Sequence, residues 1–373
     1  MSKICYLTYQ SFPSSKANTI QTISNLKYFV RNGYDVELIF PLREKNSSDQ
    51  LEELQKFYNF KEDLKITGIK HGYPFGKVFL FEKLVFLFSH ALWSKKIVTN
   101  LIKSSYIDNT FFTRSEWIAY FLSKQKLNVT YECHQSSKIK KLLVPLIIKN
   151  KKSKIIFLNE NLNKSFNLKN KFHSRISTVH NGVDSELFIE NIEKKKNTLI
   201  FVGSLIRFNK KRDIEFLINS FKDARLSNNY NLKIVGGPEV ERIRINKYIE
   251  KNNLENKIQT TGELGRKDTI LEIQKSEIGL LINTNDSLHS THHTSPLKYF
   301  EYLYGGLKVV AVDFPAHRKL PFSDNTLYFS SGDVEKFIKS VEKSSAIQTV
   351  KKHKLEEITL DSRVKRIIEI IKS

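Results

Sequence analysis

Short apolar runs alternate along the chain with longer segments whose apolar positions recur every three to four residues. The runs read as strands buried on both faces, and the longer segments as amphipathic helices. In the first half, strands are expected at 3–8, 36–40, 64–69, 109–113, 129–132, 154–158 and 176–180. Helices fall between them, for example at 18–32, which Gly33 closes. A polar, lysine-rich stretch at 190–197 interrupts the pattern. Alternation then restarts, with strands at 198–202, 232–235, 258–261, 278–281, 308–312 and 326–329. This order predicts an α/β protein with two Rossmann-like, doubly wound domains facing a cleft. The expected division is a first domain over 1–188, a linker over 189–197, a second domain over 198–352 and a C-terminal helix over 353–373 that packs back on the first domain. Open sheets of this kind bind ligands beyond the carboxyl ends of their strands, so the strand-to-helix turns are the places to inspect.

Composition narrows the class. With 40% hydrophobic and 27% charged residues the chain is a folded one, and no run approaches the roughly 18 apolar residues that a membrane span needs. The N-terminal MSKICYLTY reads as a buried strand rather than a signal peptide. Cys5 and Cys133 lie in apolar runs, as small core residues rather than disulfide partners. A cytoplasmic location is therefore expected. The net charge of +22, from 61 Lys+Arg against 39 Asp+Glu, is spread along the chain without a nucleic-acid-binding signature. Solvated surface accounts for most of it. Attraction to the anionic inner face of the cell membrane, at about 1 kcal/mol per well-placed basic residue, is its functional reading. Region 76–104 is helical and aromatic-rich. Together with Phe75, its Phe79, Phe81, Phe86, Phe88 and Trp93, interleaved with Lys77, Lys83, Lys95 and Lys96, read as a membrane-facing amphipathic helix or as core.

The most informative segment runs from Ser295 to Gly306. Ser295 is a favoured N-cap and Pro296 a favoured first helical residue, while Gly305 and Gly306 end the helix. The first-turn amides and the helix dipole make an anion site, to which Lys298 adds a full charge. Glu301 follows Leu297 by four residues, about 6 Å further along the same face. That spacing matches a diphosphate at the helix start and a ribose hydroxyl one turn later. A capped surface helix with a solvated Glu301 is the plain alternative.

The run SPLKYFEYLYGGLKVVAVDFPAHRKL closely resembles the donor-binding segment of group 1, or family 4, glycosyltransferases, which have the GT-B fold. The resemblance implies that Ser295, Pro296, Leu297 and Lys298 bind donor phosphates and that Glu301 binds the ribose. Where the family usually carries a first acid, this chain has His293, which would hydrogen-bond the transferred sugar instead. His289, His292 and His293 have helical metal-ligand spacing, but no carboxylate or cysteine completes a set, and no metal is expected.

Other motifs fit the same family. Leu199 to Leu205 resembles the first strand of its C-terminal domain, with Gly203 and Ser204 at the turn. The basic run Asn209-Lys210-Lys211-Arg212 follows, where the resemblance implies a cation that neutralises the departing diphosphate. Arg212 aligns best, and Lys210 and Lys211 are alternatives. At an effective dielectric near 20, a cation about 4 Å from a phosphate oxygen contributes about 4 kcal/mol. Gly236 and Gly262 end the next two strands and belong to the implied donor site. In the first domain, Lys16, Asn18 and Thr19 open a helix after the first strand and resemble an acceptor or phosphate loop. His134 resembles the family's cleft histidine, facing the transferred sugar, with a core-edge histidine as the alternative. Asn181-Gly182-Val183-Asp184 resembles the family's inter-domain turn.

The resemblance implies a retaining, metal-independent glycosyltransferase with no cofactor. Its donor would be a UDP- or GDP-sugar, and its acceptor a saccharide or lipid-linked saccharide in cell-surface polysaccharide synthesis. A sugar epimerase or phosphorylase on the same fold is the enzymatic alternative. A non-catalytic protein that binds anionic polymers or membranes is the other.

Overall fold

The computed structural model describes residues 3–71, 82–103, 106, 109–207 and 210–373. It divides into two compact units, Met1–Val179 with Arg363–Ser373, and His180–Ser362. Among the described residues, no helix is long and apolar enough to cross a membrane.

Unit 1 runs β1 (Lys3–Leu7), α1 (Ala17–Arg31), β2 (Asp35–Leu42), α2 (Leu51–Tyr58), β3 (Lys65–Lys70), α3 (Glu82–Lys103), β4 (Thr110–Thr113), α4 (Glu116–Lys124), β5 (Val129–Cys133), α5 (Lys138–Ile147), β6 (Ser153–Phe157), α6 (Glu160–Lys164) and β7 (Ile176–Thr178). Its sheet has the order β3-β2-β1-β4-β5-β6-β7, with every pairing parallel. The order reverses between β1 and β4, which creates a switch point where loops diverge. The interior strands are buried on both faces, and the two acids they carry, Glu37 on β2 and Glu132 on β5, are buried with basic partners. On α3, Trp93 points into the core, while Phe75, Lys77, Phe79 and Phe81 lie outside the described residues, as does the Lys83 side chain. Both cysteines are free and buried in this core.

Unit 2 runs β8 (Thr198–Val202), β9 (Ile206–Arg207), β10 (Lys210–Lys211), α7 (Ile214–Ser220), α8 (Ala224–Ser227), β11 (Asn231–Val235), α9 (Glu239–Lys251), β12 (Ile258–Gly262), α10 (Arg266–Lys275), β13 (Ile278–Leu281), α11 (Leu297–Tyr304), β14 (Lys308–Val312), β15 (Thr326–Phe329), α12 (Val334–Lys343), α13 (Lys352–Leu355) and the start of α14 (Leu360–Lys372). The main sheet is again all parallel, in the order β12-β11-β8-β13-β14-β15, and β9 with β10 forms a small antiparallel hairpin. Its switch point lies between β8 and β13.

The polar stretch at 189–197 is not a free tether. The half-buried Lys194 ammonium donates to the carbonyls of Gln274 (3.1 Å), Ser276 (3.0 Å) and Gly305 (2.8 Å), so one cation caps the ends of α10 and α11. Burial lowers its pKa to about 8. Lysine-rich composition suggested solvation, but these orphan helix-end carbonyls supply a partner that composition cannot show. At the other end of the chain, residues Arg363–Ser373 belong to unit 1. There Arg363 is bonded to Asn25 (3.0 Å) and to the buried carboxylate of Glu132.

Candidate functional site

Three strand-end turns form the floor of the site in unit 2. Gly203 N donates to Val235 O (2.9 Å), and Gly236 N donates to Gly262 O (2.8 Å), which stacks the turns after β8, β11 and β12. Gly236 has φ +153°, and a Cβ there would lie 2.0 Å from the carbonyl oxygen of Gly203. Only glycine permits that approach.

Helix α11 stands beside this floor. Its N-cap is Pro296, with no side-chain cap. Ser295, expected to cap the helix, is engaged elsewhere: its hydroxyl accepts from Asn181 N (3.1 Å) and its carbonyl from Asn181 Nδ2 (2.5 Å). The buried Asn181 brings donors that must be satisfied, and they reach the serine before any helix amide does. The start of α11 therefore has no side-chain cap: Tyr299 N turns back to Pro296 O (3.1 Å), and among the described residues no side chain caps the amides of Leu297 and Lys298. Tyr302 locks the helix in place. Its fully buried hydroxyl accepts from Val202 N (3.0 Å) at the end of β8. Its ring lies so close to Gly279 that a Cβ there would be 2.4 Å from Cδ2.

Two cations converge on one ring at the end of β8. Lys298 Nζ lies 4.4 Å from the Phe201 centroid and 3.0 Å from where a Gly203 Cβ would stand. Arg212 Cζ lies 5.9 Å from the same centroid. Arg212 Nη1 donates to Ile282 O (3.0 Å) and Asn283 Oδ1 (3.1 Å). Asn283 Nδ2 lies 3.2 Å from His317 Nε2, whose Nδ1 lies 2.8 Å from Val312 O. This pattern fixes the tautomer: Nδ1–H donates to the carbonyl and Nε2 accepts from the amide. Burial, with the Lys298 charge nearby, lowers the His317 pKa to about 4 against the pull of that carbonyl, so the imidazole is neutral. Asn283 and His317 escaped sequence reasoning because neither has a motif spacing to Arg212. Of the alternatives to Arg212, Lys211 is exposed, and the side chain of Lys210 lies outside the described residues together with Asn209. Ser204 is exposed, and its hydroxyl donates to Ile206 O within its own turn.

Glu301 is buried rather than solvated, and Arg266 Nη2 donates to its Oε1 at 2.5 Å. Burial opposes the Arg266 charge, yet the Glu301 carboxylate outweighs it and raises the guanidinium pKa. Arg266 stands in the first turn of α10, where the helix dipole disfavours a cation. That misplaced charge was the available sequence signal. Ahead of α11, His289–His293 forms a π-helical turn in which His293 is buried and His292 Nδ1 lies 2.7 Å from Thr291 Oγ1. Among the described residues, no group of three or more His, Cys, Asp or Glu side chains is placed to hold a metal.

Unit 1 holds a cavity of about 280 Å³ at its own switch point. Lys16, Asn18 and Thr19 line it at the start of α1, with Arg43 after β2, Phe86 and His90 on α3, and Ser115 and Glu116 at the start of α4. Lys16 and Asn18 are exposed there, whereas the Thr19 hydroxyl is turned to the carbonyls of Ser14 (2.8 Å) and Lys16 (2.7 Å). Arg43 was not anticipated. Its side chain is buried, Nε donates to Ser11 Oγ (2.7 Å), and its guanidinium covers the Tyr9 ring at 4.6 Å. His134 does not line this cavity. It lies past the end of β5 with Nε2 3.1 Å from Glu132 Oε2, and Glu132 also binds Arg114 and Arg363. Burial and the adjacent Arg114 lower the His134 pKa to about 4 despite Glu132.

Residues 196–345 match the family described as Glycosyl transferases group 1. No curated protein matches the chain. Among solved structures, sucrose-phosphate synthase from Thermosynechococcus elongatus is similar at 12% identity and TM-score 0.72, covering 100% of this chain and 98% of that one. WaaG, described as a glycosyltransferase involved in lipopolysaccharide biosynthesis, is similar at 13% identity and TM-score 0.60, covering 99% of each chain. An E. coli structure described as trehalose-6-phosphate bound with UDP-2-fluoro glucose is similar at 10% identity and TM-score 0.64, covering 100% and 99%. These likenesses show a shared fold, the two-domain α/β architecture called GT-B.

Proposed function

Starting from a second unit that carries a group 1 glycosyltransferase domain, we propose that the protein transfers a sugar from a nucleoside diphosphate sugar to a hydroxyl of a saccharide or lipid-linked saccharide. The observation that carries this reading is the convergence of Lys298 and Arg212 on Phe201, beside the uncapped start of α11, with Glu301 one turn further on. Two cations beside an uncapped helix start suit a diphosphate, and a buried, oriented carboxylate suits a ribose diol.

In this account the bond between the anomeric carbon and the diphosphate oxygen breaks, and its electron pair stays on the diphosphate. Lys298, Arg212 and the α11 amides stabilise the charge that develops there. The acceptor hydroxyl oxygen bonds to the anomeric carbon on the same face, and its proton passes to the departing phosphate oxygen. The configuration is retained, and the step uses no metal. His293 and His134 are assigned to the transferred sugar, and the unit 1 cavity to the acceptor. UDP is the first donor nucleotide to try, because a structure of this fold holds UDP-2-fluoro glucose. Cell-surface polysaccharide synthesis is the proposed setting, in line with the description of WaaG.

The experiment is a panel of UDP-, GDP- and dTDP-sugars, read first by thermal shift and then by turnover with and without saccharide acceptors. One nucleotide class should stabilise the protein and release nucleotide faster when acceptor is added. Donor epimerisation or phosphorolysis without acceptor would replace this reading, and no shift with any nucleotide would end it.

A further inference from the structure

The segment ahead of β8 is fastened along the two helices that carry Glu301 and Arg266, with every contact inside unit 2. At its start, the buried Asn181 holds both polar groups of Ser295, the residue before the α11 N-cap. Its Nδ2 reaches the Ser295 carbonyl at 2.5 Å, and its backbone N–H reaches the hydroxyl at 3.1 Å. Asn181 is itself held through Val183, whose N–H donates to Ile358 O (2.9 Å) and whose carbonyl accepts from Leu360 N (2.8 Å). The buried Asp184 then faces the donor-site ion pair. Against burial, and after Glu301, its carboxylate is a further negative charge that raises the Arg266 pKa.

The same segment reaches the opposite ends of both helices. Phe188 meets the Tyr304 ring edge-on, with centroids 4.9 Å apart. Ile189 exchanges two bonds with the Gln274 side chain, donating to Oε1 (3.0 Å) and accepting from Nε2 (2.6 Å). Lys194 closes the far end. Besides the two carbonyls at the end of α10, its ammonium donates to Gly305 O at 2.8 Å, and Gly305 N donates in turn to Glu301 O at 2.9 Å. One cation is thus linked through a single residue to the backbone of the acid assigned to the ribose.

We infer that Asn181 and Lys194 are positioning residues of the donor site, each setting one end of α11. Asn181 sets the start, where the diphosphate would sit, and Lys194 sets the turn from which Glu301 would meet the ribose. The inference rests on the transferase function proposed above. Helix α11 has 8 residues, which at 1.5 Å per residue makes it about 12 Å long. Tyr302 pins it to β8 at one point. A single pin leaves a short helix free to pivot, and clamps at its two ends remove that freedom. Loosening one end therefore disturbs the groups near that end most. A binding group displaced by even 1 Å loses much of its contact, so the ordering of α11 before ligand arrives is part of its affinity.

The test is calorimetry on the full chain with UDP and with 2′,3′-dideoxy-UDP, or with the guanosine pair if the thermal shift panel selects it. Asn181→Ala should weaken both ligands about five- to tenfold, since both carry the diphosphate, and leave the preference for UDP intact. Lys194→Met should weaken UDP at least about threefold and the dideoxy ligand less than about twofold, so the preference shrinks. Lys194→Arg, which keeps the charge and the donors, should restore part of it. Leu226→Ala, in the separate core around α8, should lower the thermal midpoint yet leave both affinities within about twofold of wild type. That control separates loss of stability from loss of position. Wild-type affinities in Asn181→Ala and Lys194→Met, or equal losses of the two ligands in Lys194→Met, overturn the inference. Nucleotide affinity of the wild type tests the transferase reading, and the ratios of variant to wild type test this one, so the two failures are distinguishable.

Discussion

Arg266 holds one oxygen of the Glu301 carboxylate at 2.5 Å, and the pair joins the first turn of α10 to the middle of α11. A buried carboxylate held in this way has its orientation set before any ribose arrives, which lowers the ordering cost of binding. Hydrogen bonds to a charged group contribute about 1.5–3 kcal/mol, so Glu301→Ala should weaken nucleoside diphosphate binding roughly 10- to 100-fold. Arg266→Ala should weaken it less, by about 3- to 10-fold, and the double variant should match Glu301→Ala alone. Isothermal calorimetry on the four proteins checks this. Additive losses would mean that Arg266 acts on the ligand by itself.

The Arg212–Asn283–His317 chain predicts a split between binding and chemistry. His317→Phe removes the acceptor for the Asn283 amide and frees the asparagine that orients Arg212. If Arg212 acts on the leaving diphosphate, kcat should fall about 10- to 100-fold while donor affinity changes less than about threefold. His317→Gln, which can both accept and donate, should retain more activity than His317→Phe. Equal losses in the two variants would indicate a packing role only.

Backbone proximity makes a sharper stability prediction. Gly236→Ala places a methyl 2.0 Å from a backbone oxygen at φ +153°, so it should cost at least about 2–3 kcal/mol and abolish the nucleotide-induced thermal shift. Gly33→Ala has an unfavourable φ of +82° but open space around the added carbon, so it should cost only about 1 kcal/mol. Urea denaturation separates the two.

Acid should destabilise both units before their carboxylates titrate. Burial lowers the pKa of His90 in unit 1 to about 3, aided by Arg43 and Lys140, and that of His317 in unit 2 to about 4. The unfolded chain takes up these protons near pH 6.5, so between that value and about 4 it binds more protons than the native state. Stability from these groups is therefore complete above about pH 6.5 and declines as pH falls, by up to about 1.4 kcal/mol per pH unit for each histidine. Urea midpoints measured from pH 7 to pH 4 should show the decline, and His90→Gln should flatten it. A midpoint that does not change over that range would contradict the buried neutral assignment.

The parts legible in the sequence were those governed by period and local chemistry. Every strand of both parallel sheets overlaps one that the pattern predicts, and Gly33 follows the end of α1 where the pattern stops. What escaped was fixed by partners distant in sequence. Ser295 has the chemistry of a cap, but Asn181, 114 residues earlier, claims its hydroxyl. Lys194 looked like linker because nothing local reveals the helix-end carbonyls it meets. On α3, apolar residues occupy several faces, so periodicity alone could not say that the core would take Trp93 and leave Phe88 exposed. Arg266, Asn283 and His317 act through contacts that no short motif encodes.

The most direct measurement is a crystal structure of the protein soaked with UDP or GDP, chosen by the thermal shift panel. The account predicts the diphosphate at the start of α11, within hydrogen-bond reach of Lys298 and Arg212, with the ribose hydroxyls on Glu301. A nucleotide found away from α11, or bound there with its phosphates turned from both cations, would contradict it.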